Sequence, residues 1–74
     1  MNKRIAIFVD DSNYNNIDIS HPENGNPGIG GTEYCFANLI YALKKYSNNY
    51  IGLYHTGNCR FPDCDCEYIV ENIY

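Results

Sequence analysis

Arg4-Ile-Ala-Ile-Phe-Val9 is a short run of mostly apolar, largely β-branched residues with no polar alternation. Such a run fits a strand buried on both faces, as strands of parallel sheets are. A parallel sheet in turn demands a crossover segment, usually a helix, before the next strand. The chain supplies one. Phe36, Leu39, Ile40 and Leu43 recur at the spacing of one helical face. Glu33 lies in the first turn of that pattern, Lys44 and Lys45 in the last, as the helix dipole prefers. Thr32 is placed to cap its start, and Ser47-Asn48-Asn49 closes it. Tyr50-Ile-Gly-Leu-Tyr-His55 reads as a second strand, and Glu67 to Val70 opens a third. The expected fold class is α/β, a Rossmann-like βαβ unit whose crossover is right-handed.

Residues 10–31 are rich in Asn, Asp, Gly and Pro and read as a loop. It is longer than the ~12–15 residues beyond which loops are usually functional or disordered. The 74-residue chain has room for one small domain, without repeats or linkers. One helix over so small a sheet leaves a sheet face bare, so the sequence reads as the start of a larger α/β domain. The net charge is -4, and the only adjacent basic pairs are Lys3-Arg4 and Lys44-Lys45. That composition argues against phosphate-driven nucleic-acid binding. No apolar run approaches the ~20 residues of a membrane helix, and Ile5–Val9 is too short for a signal-peptide core. A cytoplasmic chain with reduced thiols is expected.

Gly25-Asn-Pro-Gly-Ile-Gly-Gly-Thr-Glu-Tyr34 feeds directly into the helical pattern. A glycine loop at a helix start presents bare N–H groups at the positive end of the dipole, a geometry that suits phosphate. Two common nucleotide motifs fail here. The dinucleotide fingerprint needs glycine at position 33, where Glu33 stands, and the phosphate-binding Gly-Lys-Ser/Thr is absent. The same residues also read as a flexible turn into a helix.

The string Asn26-Pro27-Gly28-Ile29-Gly30-Gly31-Thr32-Glu33-Tyr34, between a first strand and a helix, resembles the N-terminal segment of family 4 (group 1) retaining glycosyltransferases of the GT-B fold. The resemblance covers about residues 4–57. It implies that residues 1–74 are part of the N-terminal Rossmann-like domain of an enzyme that transfers a sugar from a nucleotide-diphosphate donor to an acceptor glycan or lipid. Gly30, Gly31 and Thr32 would line the cleft near the donor diphosphate or the acceptor. The catalytic residues stay unassigned. No cofactor and no divalent metal are implied, and the full-length parent could be peripheral to a membrane. The donor-gripping second domain and its paired glutamates are not in this sequence, so the chain alone is expected to be inactive.

Three other groups of residues admit chemistry. Asp10-Asp11-Ser12-Asn13 follows the first strand, where α/β proteins place ligand groups. Paired carboxylates can hold a divalent cation. Strand-Asp-x-Ser-Asn also resembles the start of NYN/PIN-type metal-dependent ribonucleases, with Asp10 as a ligand. A strand-ending turn capped by aspartate is the plainer reading, and a non-catalytic interaction module is a third possibility for the chain. His55, Cys59, Cys64 and Cys66 gather zinc-type ligands, but Cys-x4-Cys-x-Cys is not a standard zinc spacing. Free thiols in a surface loop are expected, with Cys35 packed beside the helix's apolar face. Eight tyrosines, among them Tyr34, Tyr41, Tyr46, Tyr50 and Tyr54, could stack on a sugar or base; packing is the expected role.

Overall fold

A computed structural model describes residues 3–71. Strand β1 (Arg4–Val9), helix α1 (Gly31–Tyr46), strand β2 (Tyr50–His55) and strand β3 (Cys66–Ile69) follow in order, with a single 3-10 turn at Pro22–Asn24 in the long first loop. The three strands form one parallel sheet in the order β1-β2-β3. Arg4 lies beside Tyr50 and Val9 beside His55; Gly52 lies beside Cys66 and His55 beside Ile69. The molecule is 35 × 28 × 15 Å across. A thickness of 15 Å admits two layers, the sheet and the one helix.

The odd residues of β1 and β2 point to the helix. Ile7, Val9, Ile51, Leu53 and His55 are buried there, against Ala37 and Ile40 of α1. The even residues point away. Phe8 is 54% exposed, and its ring stacks on Tyr54, which stacks on Tyr68, with centroids 4.8 and 5.0 Å apart. The expectation of burial on both faces of the first strand is therefore corrected. Only one face is covered, because α1 is the only helix among the described residues that packs on the sheet. An apolar run without polar alternation can still sit half exposed when its outward positions carry alanine and an aromatic.

The helix starts at Gly31, but Thr32 is not its cap. Gly30 holds that position in extended backbone, and no side chain caps the turn. The apolar face is centred on Ala37 and Ile40; Leu39 lies at its margin, 46% exposed. Cys35 is exposed rather than packed. At the far end Asn49 turns inward, and its amide donates to the Leu43 carbonyl and to Ser47 Oγ. That satisfies a carbonyl which the last helical turn leaves open. The third strand begins at Cys66, one residue before the expected Glu67.

The long first loop is more ordered than its composition suggests. Ile19 and Ile29 are buried in the core, and Pro22 is buried beside them. Asp18 and Arg60 form a parallel bridge, with Ile19 N–H donating to the Arg60 carbonyl at 2.8 Å and Arg60 N–H to the Ile17 carbonyl at 2.9 Å. Residues 58–61 thus hold the loop against the sheet. Among the described residues no helix is long and apolar enough to cross a membrane.

Candidate functional site

The inward alternation of β1 continues one step beyond the strand. Ile7 and Val9 face the core, Asp10 turns out, and Asp11 turns in, fully buried. The parallel register brings the end of β2 alongside. The Asp11 carboxylate accepts hydrogen bonds from Thr56 N–H, Gly57 N–H and Cys59 N–H at 3.1, 2.5 and 3.2 Å. It also meets His55 Nδ1 at 3.0 Å. One carboxylate thereby ties the carboxyl end of β1 to the segment that leaves β2. Burial pushes the Asp11 pKa up, but the His55 hydrogen bond, the Gly57 and Cys59 N–H groups and the imidazole's charge outweigh it. The net result lies below the ordinary carboxylate value.

His55 is held from both sides. Its Nε2 lies 2.7 Å from Glu67 Oε2, and its ring meets Phe61 edge-on at 5.2 Å. The imidazole is 1% exposed, whereas Glu67 is half exposed. A neutral imidazole donates from one nitrogen only. Here each ring nitrogen faces a carboxylate oxygen. Asp11, His55 and Glu67 form a chain from the interior to the surface, running from the carboxyl ends of β1 and β2 to the second residue of β3.

Asp10 faces the surface crevice at that end. Its Oδ1 accepts from Ser12 Oγ, Thr56 Oγ1 and Ser12 N–H at 2.6, 2.7 and 3.1 Å. The Ser12 hydroxyl, then Thr56, then the Ser12 N–H hold its pKa down. Two carboxylates elsewhere are lowered in the same way. Asp18 is held by Ser20, and Asp65 by Lys44, at 2.8 Å, and by Ile51 N–H. All four aspartates bind fewer protons folded than unfolded, so stability rises with pH through their titration range. Their contribution is complete above the unfolded carboxylate pKa of about 3.9 and is lost as pH falls through the lower folded values. The urea midpoint is expected to be clearly lower at about pH 3 than at about pH 6. A midpoint that does not move between those values would contradict these assignments.

The glycine loop is pinned by Asn26. Its Oδ1 accepts from Gly28 N–H and Ile29 N–H at 2.9 and 2.8 Å, and its Nδ2 donates to the Ile29 carbonyl at 2.8 Å. Gly28 has φ 111°, which favours glycine. Gly30 is closely approached: a Cβ there would meet Glu33 Oε1 and Tyr14 Oη, each at 2.5 Å. Gly31 has open space around its Cβ position. A side chain at Gly30 would have to displace those two side-chain ends, whereas Gly31 has room for one. The first intrahelical bond runs from Tyr34 N–H to the Gly30 carbonyl at 3.0 Å. The N–H groups of Gly31, Thr32 and Glu33 precede it and have no intrahelical acceptor.

A crevice of about 390 Å³ separates this helix start from the end of β1. Asp10, Asn13, Thr32 and Glu33 line it, with Phe8 and Phe36 as apolar walls. Gly31 and Thr32 also border an apolar groove of about 550 Å³ that runs on along Cys35, Phe36 and Leu39. Of the site residues that the glycine string points to, Thr32 reaches the crevice and Gly31 the adjoining groove; Gly30 lies behind, against Tyr14 and Glu33. Asp10 and Glu33 give the crevice a negative lining, so an anion would approach the helix N–H groups from the Gly31 side.

The zinc-type residues do not form one cluster. His55 faces the helix side of the sheet, with both ring nitrogens engaged by carboxylates. Cys66 lies on the opposite face beside Gly52. Cys64 Sγ lies 3.3 Å from the Pro62 carbonyl, and burial pushes its thiol up to about 11. Burial likewise raises the Cys59 thiol. Among the described residues no three His, Cys, Asp or Glu side chains converge as ligands around a common point. Asp11, the inner half of the acidic pair, spends its oxygens on backbone N–H groups and His55.

Compared with protein-family models, curated proteins and solved structures, the chain has no match in any of the three.

Proposed function

We propose that the chain is the N-terminal part of a glycosyltransferase, contributing a glycine-loop helix start to a nucleotide-sugar cleft. One observation supports this reading above the others. The N–H groups of Gly31, Thr32 and Glu33 have no intrahelical acceptor, and they lie where the crevice at the carboxyl end of β1, lined by Thr32 and Glu33, meets the groove bordered by Gly31. That is where open α/β sheets bind ligands. Donors at a helix N-terminus would stabilise charge developing on a departing diphosphate. Positioning of the sugar over an acceptor supplies much of a transferase's rate. This chain alone offers no second wall for that purpose.

The reading predicts weak anion recognition and no turnover. Binding of a nucleoside diphosphate is expected in the millimolar range, about 4 kcal/mol. A titration followed by amide NMR should shift the Gly31, Thr32 and Glu33 signals first. Shifts confined to the distant cavity lined by Lys44, Lys45 and Arg60 would remove the reading. Micromolar affinity, or repeated turnover of a nucleotide sugar, would show that the short chain holds a complete site.

A further inference from the structure

Three of the chain's five lysines and arginines, Lys44, Lys45 and Arg60, line one pocket of about 570 Å³. That volume lies in the range of about 300–1,000 Å³ that small-molecule sites occupy. The last turns of α1 form one wall, through Tyr41, Lys44 and Lys45, and residues 60–63 form the other. Phe61 and Pro62 are buried, and where they border the pocket they make an apolar floor. The chain as a whole is acidic, with a net charge of -4, so its positive charge is gathered at this corner.

The three cations are not equivalent. Lys44 is already engaged: its ammonium donates to Asp65 at 2.8 Å and to the Asn49 carbonyl at 3.1 Å. Lys45 donates to the Tyr41 hydroxyl at 3.2 Å, which leaves the Tyr41 O–H proton free to donate. Arg60 enters the fold through its backbone, which bonds Ile17 and Ile19. Among the described residues no carboxylate pairs with the Arg60 guanidinium or the Lys45 ammonium. Asp18 senses the Arg60 charge at longer range, but its carboxylate is bonded by Ser20.

We propose that this pocket binds a phosphate monoester of a small hydroxylated compound. Such a phosphate carries nearly two negative charges at pH 7, which matches the two cations left without a carboxylate. The arginine fork suits two of its oxygens, and the Lys45 ammonium and the Tyr41 O–H supply further donors. The body of the ligand would lie over Phe61 and Pro62, with Ser20 and Asp63 as acceptors for its hydroxyl groups. Asp63 limits the charge, because it would repel a ligand that is anionic throughout. An anionic membrane surface fits less well. Such surfaces are met by clusters of about 4–8 basic residues, whereas here two free cations stand in a concave pocket beside an exposed aspartate.

The pocket does not depend on an open sheet edge or face. All its walls lie between residues 20 and 63. Charged groups make a poor seat for the apolar face of a further element. Strands added beyond β1 reverse the direction of winding, so right-handed crossovers carry their helices to the sheet face opposite α1.

The test is an amide NMR titration of the whole chain with glucose 6-phosphate, glucuronate and glucose. Glucose 6-phosphate is expected to shift the Ser20, Tyr41, Arg60 and Asp63 signals, with a dissociation constant on the order of 0.1–1 mM. Glucuronate, with one charge, should bind at least about fivefold more weakly, and glucose should leave these signals unmoved. Arg60→Gln should weaken glucose 6-phosphate binding about tenfold and Lys45→Gln about threefold. Arg4→Gln removes the same charge from the open sheet face and should change nothing. If Arg60→Gln does not fold, Lys45→Gln against Arg4→Gln decides. No shift at about 10 mM, glucuronate as tight as the phosphate, or equal losses in Arg4→Gln and a pocket variant would overturn the proposal. So would binding to phosphatidylserine vesicles that glucose 6-phosphate does not displace. Shifts confined to Gly31, Thr32 and Glu33 would overturn it too, while leaving the nucleotide-sugar reading in place. Failure of a nucleoside diphosphate to shift those three signals would remove that reading and leave this pocket standing.

Discussion

Asp11→Ala is expected to unfold the domain. The alanine leaves three backbone N–H groups and a histidine nitrogen without their acceptor, those of Cys59 and His55 in the interior and those of Thr56 and Gly57 partly buried. A buried donor that loses its partner costs about 1–3 kcal/mol. Domains of this kind are stable by roughly 0.05–0.15 kcal/mol per residue, which for this chain is about 4–11 kcal/mol in all. The loss is thus comparable with the whole. Asp10→Ala is the control. It removes three hydrogen bonds of similar length at the surface, where water replaces them, and should cost about 1 kcal/mol. Urea denaturation of the two variants side by side makes the comparison. Equal midpoints would mean that Asp11 is not the fastening point between β1 and β2.

How far this was legible follows from where each signal resides. Strand β1, helix α1 and strand β2 are local patterns, so their bounds can be read from the sequence almost to the residue. The helix start was legible from the glycines, but its cap was not. The sequence offers Thr32, and the structure uses Gly30 because Asn26 already holds the preceding turn from three residues before Ile29. Ile19 and Ile29 were hidden among Asn, Gly and Pro; single apolar residues carry no period. The Asp11–His55–Glu67 chain spans separations of 44 and 12 residues, and it exists only in one strand register. A partial signal was present. Ile7, Val9 and Asp11 share one side of an extended strand, as do Ile51, Leu53 and His55. Read together, these alternations place an acid and an imidazole on the same buried face. They cannot say that the two meet, because pairing of the strands is not written in either one.

Gly57→Ala should be the most damaging glycine substitution in the chain. A methyl group on Gly57 would collide with the Asp11 backbone carbonyl oxygen and lie 2.8 Å from both the carbonyl carbon and Cγ of Asp11. Two of those three atoms are backbone, so no rotamer change relieves the contact. The two chain segments would have to separate, and the bonds from Gly57 and Thr56 N–H to the Asp11 carboxylate would lengthen together. Overpacking of this kind typically costs about 1–3 kcal/mol, and weakened hydrogen bonds at a buried carboxylate add to it. Gly31→Ala provides the contrast. Its Cβ position is open, it lies in the first helical turn, and alanine there gains up to about 1 kcal/mol in helix propensity. Gly52→Ala falls between, since its nearest neighbour is the Cys66 sulfur at 3.2 Å. Thermal and urea unfolding of the three variants should rank Gly57→Ala far below the parent, Gly52→Ala modestly below and Gly31→Ala at or above it. If Gly57→Ala matched the parent, the junction between β1 and β2 would be looser than its hydrogen bonds imply, and Asp11 would not be what fastens the two strands together.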